Sequence, residues 1–126
     1  MLTPIFKKHP QIKLVYLFGS RAKGNKGPLS DFDYAVYLDG KDSGKTFELK
    51  VVLQNEISRT LGTDRVDIVI LNTLKSPELK YNIIKDGRLI YKKEPYKTLV
   101  EPRILNEYFD FHYGLAKYGL TKAGRK

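Results

Sequence analysis

Two kinds of apolar pattern alternate along this chain: short continuous runs, and longer segments in which apolar residues recur about every four positions. The runs at 12–18 and 32–38 have the length and β-forming composition of buried strands. In the segment 45–61 leucine and isoleucine recur at helical spacing, and Gly62 ends the pattern. The other expected elements are a helix from 3 that stops before 10, strands at 65–71 and 89–92, and helices at 77–86 and from 102 to about 118. This order predicts an α/β (α+β) fold, a small mixed β-sheet with helices packed on it.

The length of 126 residues suits a single domain, 1–126, whose basic end at 119–126 is expected to fray. The chain contains no cysteine, which excludes a disulfide scaffold, a thiolate nucleophile and a cysteine-based metal site. No apolar run approaches the roughly 20 residues that cross a bilayer, and Lys7 and Lys8 interrupt any signal sequence. We therefore expect a cytoplasmic protein with no membrane partner.

The 23 basic and 14 acidic residues give a net charge of +9. Such an excess favours polyanionic partners, although a solvated lysine-rich surface explains it equally well. The aromatic residues concentrate in one C-terminal helical segment and not in a basic groove, so nucleic-acid binding is not the favoured interpretation.

A glycine–serine pair ends the first predicted strand. Gly19 lets a ligand approach the backbone closely, and free N–H groups where a short helix could begin after Ser20 attract phosphate. The hydroxyl of Ser20 adds a donor, and Arg21 adds positive charge. These three residues are candidates for binding the phosphates of a nucleotide.

Two aspartates follow after a ten-residue spacer. Asp31 and Asp33 alternate at the start of the second strand, so both side chains lie on one face, about 7 Å apart along the chain. Two carboxylates beside a phosphate-binding turn suit hard divalent cations. Asp67 lies between apolar neighbours in the third strand, where an acid needs a partner and a metal can serve. In the alternative interpretation the glycine–serine pair is an ordinary turn, Asp31 a cap and Asp33 an exposed strand residue.

The combination Gly19-Ser20, ten-residue spacer, Asp31-x-Asp33 and later Asp67 resembles the signature of the polymerase-β-type nucleotidyltransferases. More narrowly, the chain is similar to the minimal nucleotidyltransferase (MNT) antitoxins that pair with HEPN-domain (HepT-like) ribonuclease toxins. The resemblance implies a polymerase-β-like nucleotidyltransferase fold. It also implies that Asp31 and Asp33 bind two Mg²⁺ ions, that Asp67 binds one of them, and that Gly19 and Ser20 bind the phosphates of ATP.

The reaction expected from this resemblance is transfer of AMP from ATP to a tyrosine hydroxyl of the HEPN toxin, which neutralises the toxin in a type VII-like pair. Asp67 is a candidate general base for the hydroxyl, whose pKa is ordinarily near 10. The predicted catalytic core uses nearly the whole chain, so another molecule must supply the acceptor. Apolar residues spread over roughly 200° of the C-terminal helix, and the surplus aromatic edge is a candidate docking surface.

Two other functions remain open at this stage. The first is a non-catalytic subunit that masks the toxin by binding alone. The second is a nucleotidyltransferase for a small molecule. No motif in the chain indicates which nucleotide is preferred.

Overall fold

The computed structural model describes residues 2–19, 31–39 and 43–117. Its regular elements, in chain order, are α1 (Thr3–Lys8), β1 (Ile12–Phe18), β2 (Phe32–Leu38), α2 (Ser43–Leu61), β3 (Val66–Ile70), the 3-10 helix Leu71–Thr73, α3 (Pro77–Asp86), β4 (Arg88–Lys92) and α4 (Tyr96–Lys117).

The four described strands form one sheet in the order β3-β2-β1-β4. Strand β1 pairs antiparallel with β2 and with β4, whereas β2 pairs parallel with β3. The parallel pair requires a crossover connection, which α2 provides. The sheet is therefore mixed, as predicted.

Helices cover both faces of the sheet, because alternate residues of the central strands are apolar on both sides. Val15 lies in one buried cluster with Leu53 and Ile57 of α2. Tyr16 lies in a second cluster on the opposite face, which includes residues of α3 and α4: Ile83, Val100 and Ile104. The predicted packing of helices on a small sheet is thus confirmed.

Side-chain hydrogen bonds fix the ends of the sheet. The Asn72 side chain accepts a hydrogen bond from the Leu38 backbone N–H at 2.8 Å and donates one to the Leu38 carbonyl at 2.7 Å. Ser76 caps α3, as predicted, by accepting a hydrogen bond from the backbone N–H of Leu79 at 3.1 Å.

The prediction that the C-terminal helix begins at Pro102 is wrong. Helix α4 begins at Tyr96, and Pro102 lies inside it. An internal proline removes a backbone hydrogen bond and crowds the preceding turn. Val100 and Ile104, on either side of Pro102, are buried against the sheet, and this packing outweighs the cost.

Some predictions lie outside the described residues, namely the short helix after Ser20 and the frayed tail 119–126. The third strand ends at Ile70, one residue earlier than expected, because Leu71 begins the 3-10 helix. Among the described helices, none is both long enough and apolar enough to cross a membrane.

Candidate active site

Two of the predicted aspartates occupy paired positions on neighbouring strands. Asp33 of β2 is in register with Asp67 of the parallel strand β3. Side chains at paired positions share a face of the sheet. Since Asp33 lies two residues before Ala35, which packs on the side of α3 and α4, both carboxylates belong to that face. Asp31 immediately precedes β2 and continues the same alternation.

The start of β2 is tied to the segment that leads into β3. The Phe32 backbone N–H donates a hydrogen bond to the Arg65 carbonyl at 2.8 Å. Nη1 of Arg65 lies 3.4 Å from Oδ1 of Asp31, and both side chains are exposed. These contacts hold the start of β2, next to Asp31, beside the start of β3, which contains Asp67. Both aspartates therefore lie at the same end of the sheet.

Gly19, which directly follows β1, lies beside these carboxylates. Phe18 at the end of β1 is paired with Asp33, and Gly19 follows with φ of +80°. A Cβ atom at Gly19 would lie 2.4 Å from Oδ2 of Asp33, far inside van der Waals contact. This position therefore requires glycine for two reasons, the left-handed backbone and the approach of the carboxylate.

Asp33 is the electrostatic centre of the group. Burial raises the pKa of the Asp33 carboxyl above its usual value, and the negative charges of Asp67 and then Asp31 raise it further. The three carboxylates therefore repel one another when all are ionised. A bound cation would relieve that repulsion.

The chemistry of this donor set fits a hard divalent cation, because Mg²⁺ prefers carboxylate oxygens. In their present side-chain conformations, no three His, Asp or Glu residues within 2–19, 31–39 and 43–117 form a group that could hold a metal ion. Asp31 and Asp67 are exposed and can change rotamer, whereas the Asp33 carboxylate is partly buried and lies close to Gly19. Metal binding would thus require the two outer side chains to turn toward Asp33.

The structure brings together Gly19, Asp31, Asp33 and Asp67, while Ser20 and Arg21 lie outside the described residues. The expectation that Asp67 sits in a buried setting is wrong. Val66 and Ile68 are buried on the α2 side of the strand, but Asp67 between them is exposed. Apolar neighbours in a strand describe the opposite face, so they carry no information on the burial of the residue between them.

Arg65 is a neighbour of the site that was not among the predicted residues. The available signal was its place directly before the third strand. Since Phe32 is in register with Val66, the preceding residues Asp31 and Arg65 also face each other.

A protein-family model described as "Polymerase beta, Nucleotidyltransferase" matches residues 1–96. The chain belongs to this family. The resemblance inferred from the spacing of the glycine–serine pair and the aspartates is therefore confirmed.

Two relatives refine the relationship. The protein adenylyltransferase MntA of Aphanizomenon flos-aquae is 32% identical over 95 residues, which are 71% of this chain and 63% of that protein. A putative protein adenylyltransferase of Methanocaldococcus jannaschii is 35% identical over 88 residues, 69% of this chain and 83% of that protein. The chain thus spans less than two thirds of the first relative and most of the second.

Solved structures share the fold. A toxin–antitoxin structure with AMP-PNP superposes with a TM-score of 0.73 at 24% identity, over 93% of this chain and 91% of the other. A complex of a tri-AMPylated Shewanella oneidensis HEPN toxin with its MNT antitoxin gives a TM-score of 0.62 at 23% identity, over 89% and 83% of the two chains. The polymerase-β-like nucleotidyltransferase fold is thereby confirmed.

Proposed function

We propose that this chain is an antitoxin that transfers AMP from ATP to a tyrosine hydroxyl of a cognate HEPN-domain ribonuclease toxin in the cytoplasm. Residues 1–126 would act as one minimal nucleotidyltransferase domain. The proposal is supported by membership of the nucleotidyltransferase family and by relatives described as protein adenylyltransferases. A related complex that contains an AMPylated HEPN toxin supports the choice of acceptor.

The observation that carries the proposal is the convergence of acids from two strands beside a glycine from a third. Asp33 lies in register with Asp67, and Gly19 lies close to its carboxylate. Burial raises the pKa of Asp33, and the negative charges of Asp67 and Asp31 raise it further. A purely structural site has no reason to accumulate like charges at one point, because their repulsion destabilises the fold.

In the proposed reaction, the tyrosine oxygen forms a bond to the α-phosphorus while the bond from that phosphorus to the bridging oxygen breaks and pyrophosphate leaves. Gly19 and Ser20 bind the phosphates, and Arg21 offsets part of their charge. Asp31 and Asp33 are the proposed ligands of two Mg²⁺ ions, and Asp67 of one.

When bound, these ions supply charge neutralisation at the α-phosphate and favour ionisation of the acceptor hydroxyl. The Asp67 carboxylate accepts the tyrosine proton and then releases it to solvent. Asp33, the least exposed of the three, sets the position to which the exposed Asp31 and Asp67 side chains turn. The added AMP brings negative charge and bulk to the toxin, which would exclude RNA from its ribonuclease site.

The proposed docking surface for the toxin is an aromatic face on α4, defined by Phe109 and Tyr113, which are four residues apart and share one side of the helix. Their exposed fractions are 57% and 69%. Phe109 adjoins an aromatic cluster in which Tyr81 of α3 stacks on Tyr108 at 3.8 Å between ring centroids. Exposed aromatic rings backed by a packed cluster are typical of protein interfaces.

The proposal is tested by incubating the purified chain with Mg²⁺-ATP and the HEPN protein encoded beside its gene, followed by mass spectrometry of the HEPN protein. We expect one or more AMP groups on tyrosine. The Asp33→Asn variant should abolish the modification while leaving the circular dichroism spectrum unchanged, and Glu48→Gln, the corresponding change at an exposed position of α2 on the other face of the sheet, should retain it.

An unmodified HEPN protein that stays tightly bound and inactive would contradict the proposal and favour a masking subunit. Modification at a normal rate by Asp33→Asn would show that the carboxylates have another role. Transfer of AMP to a small molecule, with no modification of the HEPN protein, would support the third candidate function.

A further inference from the structure

The layer between the sheet and its α1–α2 side is incompletely filled at one end. A cavity of about 320 Å³ lies there, and side chains of α1, β1, β2, α2 and β4 line it. The lining residues used below are Thr3, Phe6, Leu17, Tyr34, Leu61 and Ile90.

The cavity is separate from the candidate active site. Leu17 and Tyr34 are paired across β1 and β2, and both pack in the cluster on the α2 face of the sheet. The next pair, Phe18 and Asp33, points to the opposite face because strand side chains alternate. The cavity therefore lies behind the sheet, one residue pair away from the Asp33 carboxylate.

The packed core holds the deep walls of the cavity. Phe6 and Tyr34 are 1% and 3% exposed, and the Phe6 ring contacts that of Tyr91 at 5.4 Å between centroids. Three other apolar walls, Leu17, Leu61 and Ile90, are only partly buried. A bound apolar molecule would cover surface that the fold itself leaves accessible, which is favourable.

The chemistry of the lining limits the class of ligand. Among the described residues, no lining side chain is charged, so a bound ion would lose its hydration without compensation. The Thr3 hydroxyl forms no hydrogen bond with another described residue and is available as a donor or an acceptor. Apolar walls with few polar groups are typical of small-molecule sites.

The volume limits the size of the ligand. An α-helix with its side chains is about 10–12 Å across and is too wide for such a cavity. An apolar cavity of about 150 Å³ is already large enough to hold benzene. A cavity of about 320 Å³ therefore suits a molecule of one or two rings.

We infer that this cavity is a binding site for an uncharged aromatic molecule of one or two rings, with a polar group that hydrogen-bonds to Thr3. The ligand would contact Leu17 and Tyr34, the strand pair next to Phe18 and Asp33. The inference does not depend on the proposed function, because it uses only the lining and the size of the cavity.

The test is a nuclear magnetic resonance titration of the full chain, labelled at its leucine and isoleucine methyl groups, with indole and with indene. The two probes share one bicyclic shape, but only indole carries an N–H group. We expect saturable shifts of the Leu17, Leu61 and Ile90 methyl resonances with both probes. Indole should bind several-fold more tightly, because its N–H group donates a hydrogen bond to the Thr3 hydroxyl.

Three variants change the cavity itself. Leu61→Phe and Ile90→Phe fill it from different walls, and each should weaken both probes at least tenfold. Thr3→Val removes the hydroxyl while keeping the shape of the side chain. It should remove the preference for indole and leave the affinity for indene unchanged.

Matched controls place the same changes on α4, which packs on the opposite face of the sheet. Leu99→Phe and Thr98→Val alter exposed side chains there, and both variants should bind the two probes like the unsubstituted chain. Circular dichroism checks folding. Because two walls are filled separately, one folded filling variant is enough for the test.

Absence of saturable shifts with both probes in the unsubstituted chain would overturn the inference. Unchanged affinity in a folded filling variant would also overturn it, because the probes would then bind elsewhere. Equal affinities of the unsubstituted chain for indole and indene would overturn the assignment of a hydrogen-bonding group to the ligand.

Discussion

At the scale of single residues, Gly19 connects backbone conformation to the proposed chemistry. Its φ of +80° is strained for any residue with a Cβ atom, and such an atom would lie 2.4 Å from the Asp33 carboxylate. We expect Gly19→Ala to lower the free energy of unfolding by about 1–2 kcal/mol and to abolish AMP transfer, because Asp33 must move. Thermal denaturation and the transfer assay measure the two effects separately.

Gly62 offers a matched control for this prediction. Its φ is +71°, but no atom lies within 4 Å of a Cβ placed there. Gly62→Ala should therefore cost a similar amount of stability and leave transfer intact. Equal activity of the Gly19→Ala and Gly62→Ala variants would show that the contact with Asp33 has no bearing on the reaction.

Glu56 makes stability dependent on pH. Its carboxylate interacts with Lys8 and with His9, whose Nε2 is 2.9 Å from Oε1, and the hydrogen bonds from Lys8 and then His9 lower the pKa of Glu56 below its ordinary value of 4.5. A group with a lowered folded pKa stabilises the fold above its unfolded pKa, and this contribution is lost as the pH falls through the folded value.

We therefore expect the urea midpoint of the unsubstituted chain to fall more steeply below pH 4.5 than that of Glu56→Gln. Above that pH the variant should be the less stable of the two. Glu48→Gln, at an exposed position of the same helix, should follow the unsubstituted chain. Parallel curves for the unsubstituted chain and Glu56→Gln would show that the contacts with Lys8 and His9 have no energetic weight.

The positions of the site residues were predictable because local spacing alone places them. Asp31 and Asp33 share a face through strand alternation, and Gly19 follows a strand that ends in a turn. The exposure of Asp67 and the proximity of Arg65 to Asp31 were not predictable in this way. Both depend on the pairing of β2 with β3, which involves residues 34 positions apart.

At the scale of elements, a partly buried hydrogen bond joins α4 to the sheet. The Tyr16 hydroxyl donates a hydrogen bond to Oε2 of Glu101 at 2.5 Å. Burial raises the pKa of Tyr16, and the hydrogen bond and charge of Glu101 add to the effect, so the hydroxyl stays protonated. We expect Tyr16→Phe to lower the free energy of unfolding by about 1 kcal/mol in urea denaturation, because Glu101 loses a donor.

Tyr113→Phe removes the same hydroxyl from a side chain that is 69% exposed and should leave stability unchanged. Equal stability of the two variants would mean that the hydrogen bond to Glu101 contributes no net stabilisation.

The aromatic face of α4 gives a prediction about binding. Replacing Phe109 and Tyr113 together by serine should weaken binding of the HEPN protein about tenfold or more, since exposed aromatic anchors carry much of the energy of an interface. The stability of the chain should change little. Biolayer interferometry with the HEPN protein measures the affinity.

Phe47→Ser on α2 is the control, because Phe47 is 67% exposed on an element of the opposite layer. Unchanged affinity in the α4 double variant, or equal loss in Phe47→Ser, would contradict docking through α4.

The start of α4 was predicted wrongly because packing between elements decides where this helix begins. Proline is favoured at the first position of a helix, and this preference predicted a helix start at Pro102. In the folded chain Val100 and Ile104 are 4% and 6% exposed, so the turn before the proline is held by its contact with the sheet. Tertiary packing of this kind is absent from any local pattern.

At the scale of the whole molecule, the mixed sheet with a helical layer on each face follows from the alternation of the strands. The strand order β3-β2-β1-β4 does not follow from this alternation, because it depends on which strands pair with one another in the folded chain. This order places Asp67, Asp33 and Gly19 side by side on neighbouring strands at one end of the sheet. In the proposed reaction, the acceptor hydroxyl beside Asp67 and the leaving pyrophosphate beside Gly19 would then lie on opposite sides of the α-phosphorus, as in-line displacement requires.

The central claim is that Asp31, Asp33 and Asp67 together hold divalent cations against a triphosphate. Electron paramagnetic resonance of Mn²⁺, added with the α,β-methylene analogue of ATP, tests it without any acceptor protein. The account predicts two bound ions per unsubstituted chain, at least tenfold weaker binding in Asp33→Asn, and normal binding in Asp110→Asn. Mn²⁺ binding by Asp33→Asn that equals that of the unsubstituted chain would contradict it.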